Sequence, residues 1–92
     1  MDLQKVFEKF EDEYVEFKKV ENKLSERPDL HAFLLLDSIL PSDRYIVDAS
    51  EHDEIYLSVD CEELAKVITE DQVRDLVRAG IRFNGEYLAM FV

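Results

Sequence analysis

Three side chains in this sequence could ligate a soft metal or take part in proton or thiol chemistry: His31, His52 and Cys61. Their spacing matches no zinc pattern. His31 falls inside an apolar run and reads as a satisfied core or capping residue. His52 lies in an acidic stretch, where His52-Asp53-Glu54 reads as a solvated loop in preference to a cation site. Cys61 opens a helix, a position that can lower a thiol pKa, yet no base partner is fixed beside it. One cysteine cannot form an internal disulfide, and a reducing, cytoplasmic setting is the simple expectation.

Carboxylates are the denser signal. The chain carries 22 acidic residues against 11 basic ones, a net charge of −11 over 92 residues. Between positions 48 and 63 stand Asp48, Glu51, Asp53, Glu54, Asp60, Glu62 and Glu63, with no Lys or Arg. This run lacks the alternating ligands and central glycine of a calcium loop. Carboxylate density alone does not argue for paired-carboxylate glycoside chemistry. Gly80 and Gly85 read as turn residues and build no phosphate loop. No catalytic residue, cofactor site or metal site is expected, and the chain reads as a non-enzyme. Its charge repels nucleic acid and anionic membranes and attracts basic protein surfaces.

The elements that must position this run are clearest at the C-terminal end. Asp60-Cys61-Glu62-Glu63 and Thr69-Glu70-Asp71-Gln72 are two capping boxes nine residues apart. They predict helices over Cys61–Val67 and Glu70–Ala79, the second with Val73, Leu76 and Val77 on one apolar stripe and Gly80 as its C-cap. Asn84-Gly85 between apolar runs predicts a two-residue hairpin of type I′. In that register Phe83 faces Glu86 and Ile81 faces Leu88, so Ile81, Phe83, Leu88, Met90 and Val92 share the core face.

Earlier in the chain, Leu3, Phe7, Phe10, Tyr14, Phe17 and Leu24 follow helical spacing and predict one long amphipathic helix over residues 2–25, about 36 Å long. Glu21 interrupts the stripe, with Val20 as its apolar neighbour. These six residues are a candidate interface, either with the chain's own core or with a second copy in a homodimer through helix 2–25. Pro28 opens a second helix that ends at Leu40, before Pro41. It is apolar nearly all round, which predicts a central core helix buried on several sides. Tyr45–Val47 reads as a short strand or an extended lead-in, Asp48–Asp53 as a polar loop, and Glu54–Val59 as a half-buried strand by its alternation. The expected class is α+β, one domain over residues 1–92, with a small antiparallel sheet. The N-terminus is charged and lacks the apolar segment of a signal peptide, and no apolar run approaches the roughly 20 residues of a membrane span.

From Pro28 the expected order is helix, strand, helix, helix, strand, strand. With Glu63–Val67, the Thr69 cap, Gln72–Ala79 as recognition helix and Gly80–Phe91 as wing, this resembles a winged helix over about two-thirds of the chain. The resemblance implies a dimeric transcriptional regulator, but the recognition helix sets Glu70, Asp71 and Asp75 against Arg74 and Arg78, and DNA-binding members place a basic footprint there. The stretch from Arg27 to Val92, above all Leu76-Val77-Arg78-Ala79-Gly80-Ile81-Arg82-Phe83, also resembles small uncharacterised accessory proteins of tailed bacteriophages, which implies a host cytoplasm and no mechanism. Together these readings give one expectation: a small acidic accessory protein that binds a protein partner, itself or a basic host protein, and inhibits or modulates a host nucleic-acid-handling protein through its acidic surface. The alternatives are a structural or homo-oligomeric phage protein and the winged-helix regulator.

Overall fold

A computed structural model describes residues 1–92. Four α-helices and one four-stranded antiparallel sheet give the α+β class: α1 Leu3–Lys9, α2 Pro28–Ile39, β1 Val47–Glu51, β2 Glu54–Leu57, α3 Cys61–Val67, α4 Glu70–Arg78, β3 Arg82–Phe83 and β4 Leu88–Phe91. The strand order is β1-β2-β4-β3, so the strand latest in sequence lies inside the sheet. No helix is long and apolar enough to cross a membrane.

Both helix N-caps form, the Thr69 box in full and the Asp60 box only by half. Asp60 accepts from the amides of Glu62 and Glu63, both at 3.1 Å. Thr69 and Gln72 complete a reciprocal box, with the Gln72 amide donating to Thr69 Oγ1 at 3.2 Å and the Thr69 amide donating to Gln72 Oε1 at 2.9 Å. Glu63 does not reach back to its own cap and pairs instead with Lys66 at 3.0 Å. Val73, Leu76 and Val77 of α4 are buried and join Leu64, Ile68, Ile81, Leu88 and Met90 in the core.

The long N-terminal helix does not form. Only α1 is α-helical, and short 3₁₀ turns follow at Glu11–Glu13 and Phe17–Lys19. A helix over 2–25 would run about 36 Å, longer than any dimension of the molecule, which measures 29 × 27 × 23 Å. Folding back instead lets the segment wrap α4. The Val15 amide donates to the Val77 carbonyl at 3.2 Å, and Arg78 donates through both Nε and Nη2 to Glu13 Oε1 at 2.9 and 2.6 Å. The reversal places Val15 at φ +57°, a left-handed conformation costly for a β-branched residue.

The middle and the end of the chain also differ from the expected elements. The run Asp48–Asp53 is not a loop: Val47–Glu51 is β1, joined to β2 by a two-residue turn in which His52 adopts φ +57°. Helix α2 is not central. It buries His31, Ala32 and Leu36, while Leu30 and Leu34 remain exposed. In the C-terminal hairpin the turn moves one residue along, with Phe83 opposite Leu88 and Arg82 opposite Ala89. Asn84 Oδ1 accepts from the amides of Glu86 and Tyr87 at 2.9 and 2.7 Å, and this side-chain cap holds the turn there. Only Gly85, at φ +99°, takes the positive φ that a type I′ turn would require twice. The shift leaves the shared faces intact, so Ile81, Leu88 and Met90 still point to the core, although Val92 is exposed.

Candidate protein-binding surface

The seven acidic residues fall into two groups with different roles. Asp48 and Glu51 stand exposed on β1, and Asp53 is exposed in the turn that follows. Glu54 is drawn inward across the sheet to pair with Arg82. Asp60 is occupied as the α3 cap. Glu63 is engaged by Lys66, and Glu62 stands exposed beside it. The free carboxylates of the hairpin are therefore Asp48, Glu51 and Asp53.

β1 is an edge strand. It pairs only with β2, all five of its residues are exposed, and the register slips at Asp48 between Val47 and Ala49. Such a slip is a bulge, which bends an edge and sharpens its twist. The row Ala49, Tyr56, Ala89 and Arg82 runs across all four strands on the sheet face away from Met90. Above this row Phe91 carries the Arg82 guanidinium at 4.2 Å from its ring centre. Tyr56 and Tyr87 meet edge-on at 6.0 Å. Tyr87 and Phe91 are each about half exposed. An aromatic strip thus lies beside an acidic edge, a combination of apolar centre and charged rim suited to protein contact.

The six aromatic and aliphatic residues of the N-terminal segment lie elsewhere. Leu3 and Phe7 are buried in the core, Phe10, Tyr14 and Phe17 pack against it, and Leu24 is half exposed. Five of the six are thus engaged within the chain. Val20 is also buried.

The residues with chemical potential are placed apart. The Leu24 amide donates to Nδ1 of buried His31 at 3.1 Å, which puts the neutral ring's proton on Nε2. Burial pushes the His31 pKa below its usual 6.5. Asp75, which faces it, is pushed up by its own burial against the pull of Arg74 and Arg78. They line a cleft of about 550 Å³ in which Lys19, Arg74 and Arg78 are matched by Glu21, Asp71 and Asp75. Three charges of each sign leave no net field to select an ion. Burial raises the Cys61 pKa, outweighing a backbone hydrogen bond at Leu88 that lowers it. His52 is exposed in the β1–β2 turn.

α4 holds its arginines within the fold. Arg78 is only 13% exposed and is tied to Glu13, Asp75 and the Lys19 carbonyl, while Arg74 lies 3.4 Å from Asp71. The edge character of β1 was hidden in the sequence because Asp48-Ala49-Ser50-Glu51 has no apolar alternation. The His52-Asp53 pair between Glu51 and Glu54 is the only local trace of the turn. No family model, curated protein or solved structure matches this chain.

Proposed function

We propose that the protein is a binding module that captures a basic, extended segment of another protein along β1. The observation that carries this reading is an edge strand whose five residues are all exposed and whose free side chains are Asp48 and Glu51, with Asp53 just beyond. An added strand would satisfy the backbone groups of the open edge. Lys or Arg side chains on it would meet the carboxylates. The neighbouring aromatics Tyr56, Tyr87 and Phe91 offer faces for guanidinium groups and alkyl stems, as Phe91 already does for Arg82. The same charges oppose pairing between two copies of β1, since each edge would set acid near acid. The arginines of α4 are engaged by Glu13, Asp71 and Asp75, which argues for protein in preference to DNA as partner. Basic partners of this kind include nucleic-acid-handling proteins, whose phosphate-binding surfaces a carboxylate array can occupy, and the protein serves as an accessory factor toward such a protein.

The test is nuclear magnetic resonance titration with a short peptide alternating Lys and Val, and with the matching Glu-Val peptide as control. The basic peptide should shift the amides of Val47–Glu51 and lose its effect at about 0.5 M salt, where the screening length falls to a few ångströms. Asp48→Lys/Glu51→Lys/Asp53→Lys should abolish binding without unfolding. Shifts confined to other elements, or an unchanged response in the triple variant, would sink the reading.

A further inference from the structure

Helix α2 offers a second surface, independent of the acidic edge. Its outward stripe runs Leu30, Leu34, Asp37, at the spacing of one helix face, and the N-cap residue Arg27 stands one further step toward its start. Leu30 and Leu34 are 43% and 41% exposed, and Leu24, 50% exposed, flanks the helix where its amide meets His31. Half-buried Phe33 lies between this stripe and the core, against which it packs. Leu30 and Leu34 thus form a small apolar strip of the kind a partner helix covers.

The stripe is also self-complementary. Arg27 and Asp37 stand five residues either side of Ala32, and Leu30 and Leu34 stand two either side. Turn a second copy about a two-fold axis level with Ala32, and the helices run antiparallel. Leu30 of each copy then meets Leu34 of the other, and Arg27 of each meets Asp37 of the other, at both ends. This is the residue-for-residue exchange that an isologous contact demands. Neither Arg27 nor Asp37 takes part in an ion pair within its own chain. A basic protein partner would gain little here, because the stripe carries one charge of each sign.

We infer that a second copy of this chain covers α2, forming an antiparallel, two-fold helix pair. This contact differs from pairing through residues 2–25, most of whose apolar side chains are occupied within the fold.

Sedimentation equilibrium from about 10 µM to about 1 mM, a range that brackets weak helix-pair affinities, tests the inference. Wild type should be a dimer at the upper end. Leu34→Glu, at an exposed site, should keep its circular dichroism and run as a monomer. Arg27→Asp or Asp37→Arg alone sets like charges together at both ends and should raise the dissociation constant roughly tenfold or more. Arg27→Asp/Asp37→Arg restores the pairing in reversed sense and should return within about threefold of wild type. A wild-type monomer throughout, a Leu34→Glu dimer, or a double variant no better than the singles would each overturn the inference. A wild-type monomer would leave the face to a helix of a different protein.

Discussion

His31 is the residue whose surroundings make the sharpest demand on pH. The Leu24 amide occupies Nδ1, so taking up a second proton breaks a hydrogen bond as well as charging a buried ring. Its pKa therefore lies below 6.5 in the fold, lowered by burial and by Lys23 and partly restored by Asp75. The unfolded chain takes up this proton first as pH falls, so stability is full above about 6.5 and declines below it until the folded ring also protonates. Chemical denaturation of wild type between pH 7.5 and 5.5 should show that decline. His31→Asn keeps an acceptor for the Leu24 amide and should flatten it. Asp75 acts in the opposite sense and in a lower range: its raised pKa lets the fold bind a proton before the unfolded chain does. A variant that retains the full wild-type slope would show that His31 is not its source. The sequence made His31 legible as an interior residue, but its partner amide lies seven residues back, in a segment whose turn no local pattern announces.

Among the elements, the N-terminal segment depends most on tertiary partners. Its helical spacing is genuine over Leu3 and Phe7, and it fails where Glu13, Val15 and Val77 can reach one another. Propensity yields here to an ion pair and a backbone hydrogen bond made to residues more than sixty positions away. Glu13→Ala leaves Arg78, only 13% exposed, with Asp75 at 3.8 Å as its remaining carboxylate. It should cost about 2 kcal/mol in equilibrium denaturation, the scale of a partly buried charge stripped of its best partner. Amide exchange at Val15 should accelerate in the same variant. A loss indistinguishable from that of an exposed pair such as Lys9–Glu70 would show that the clasp is not what bends the segment. The contrast with α3 and α4 is instructive. Their N-caps are read within four residues, so their starts follow from sequence alone, while α4 ends one residue early, with Ala79 as its C-cap. The hairpin turn at Gly85-Glu86 sits one residue off because the Asn84 side chain accepts two amides and holds the turn beyond itself. α2 misled in the other direction: its composition implied burial, whereas its packing leaves Leu30 and Leu34 outward.

At the scale of the whole molecule, the net charge of −11 is spread over a body with a radius of gyration of 11.9 Å. Self-repulsion at that density opposes the compact state. The melting temperature should therefore rise as sodium chloride goes from about 10 mM to about 0.5 M, because a Debye length shrinking from about 30 Å to a few ångströms screens carboxylates from one another. A fall over this range would mean that the surface ion pairs outweigh the repulsion. The α+β class and the acidic character could be read from the sequence. The division of that charge could not, because only the fold decides that Glu54 turns to Arg82 and Asp60 to a helix cap while Asp48 and Glu51 line an open edge. The strand order carries a consequence for the newly made chain. β4 joins β2 to β3, yet it is translated after both of them. Until it leaves the ribosome the sheet has no middle, and Phe7, Phe10, Tyr14 and Phe17 have no finished core to rest on. Before β4 is made, those aromatic side chains stay open to water, the state in which an unfinished chain aggregates most readily.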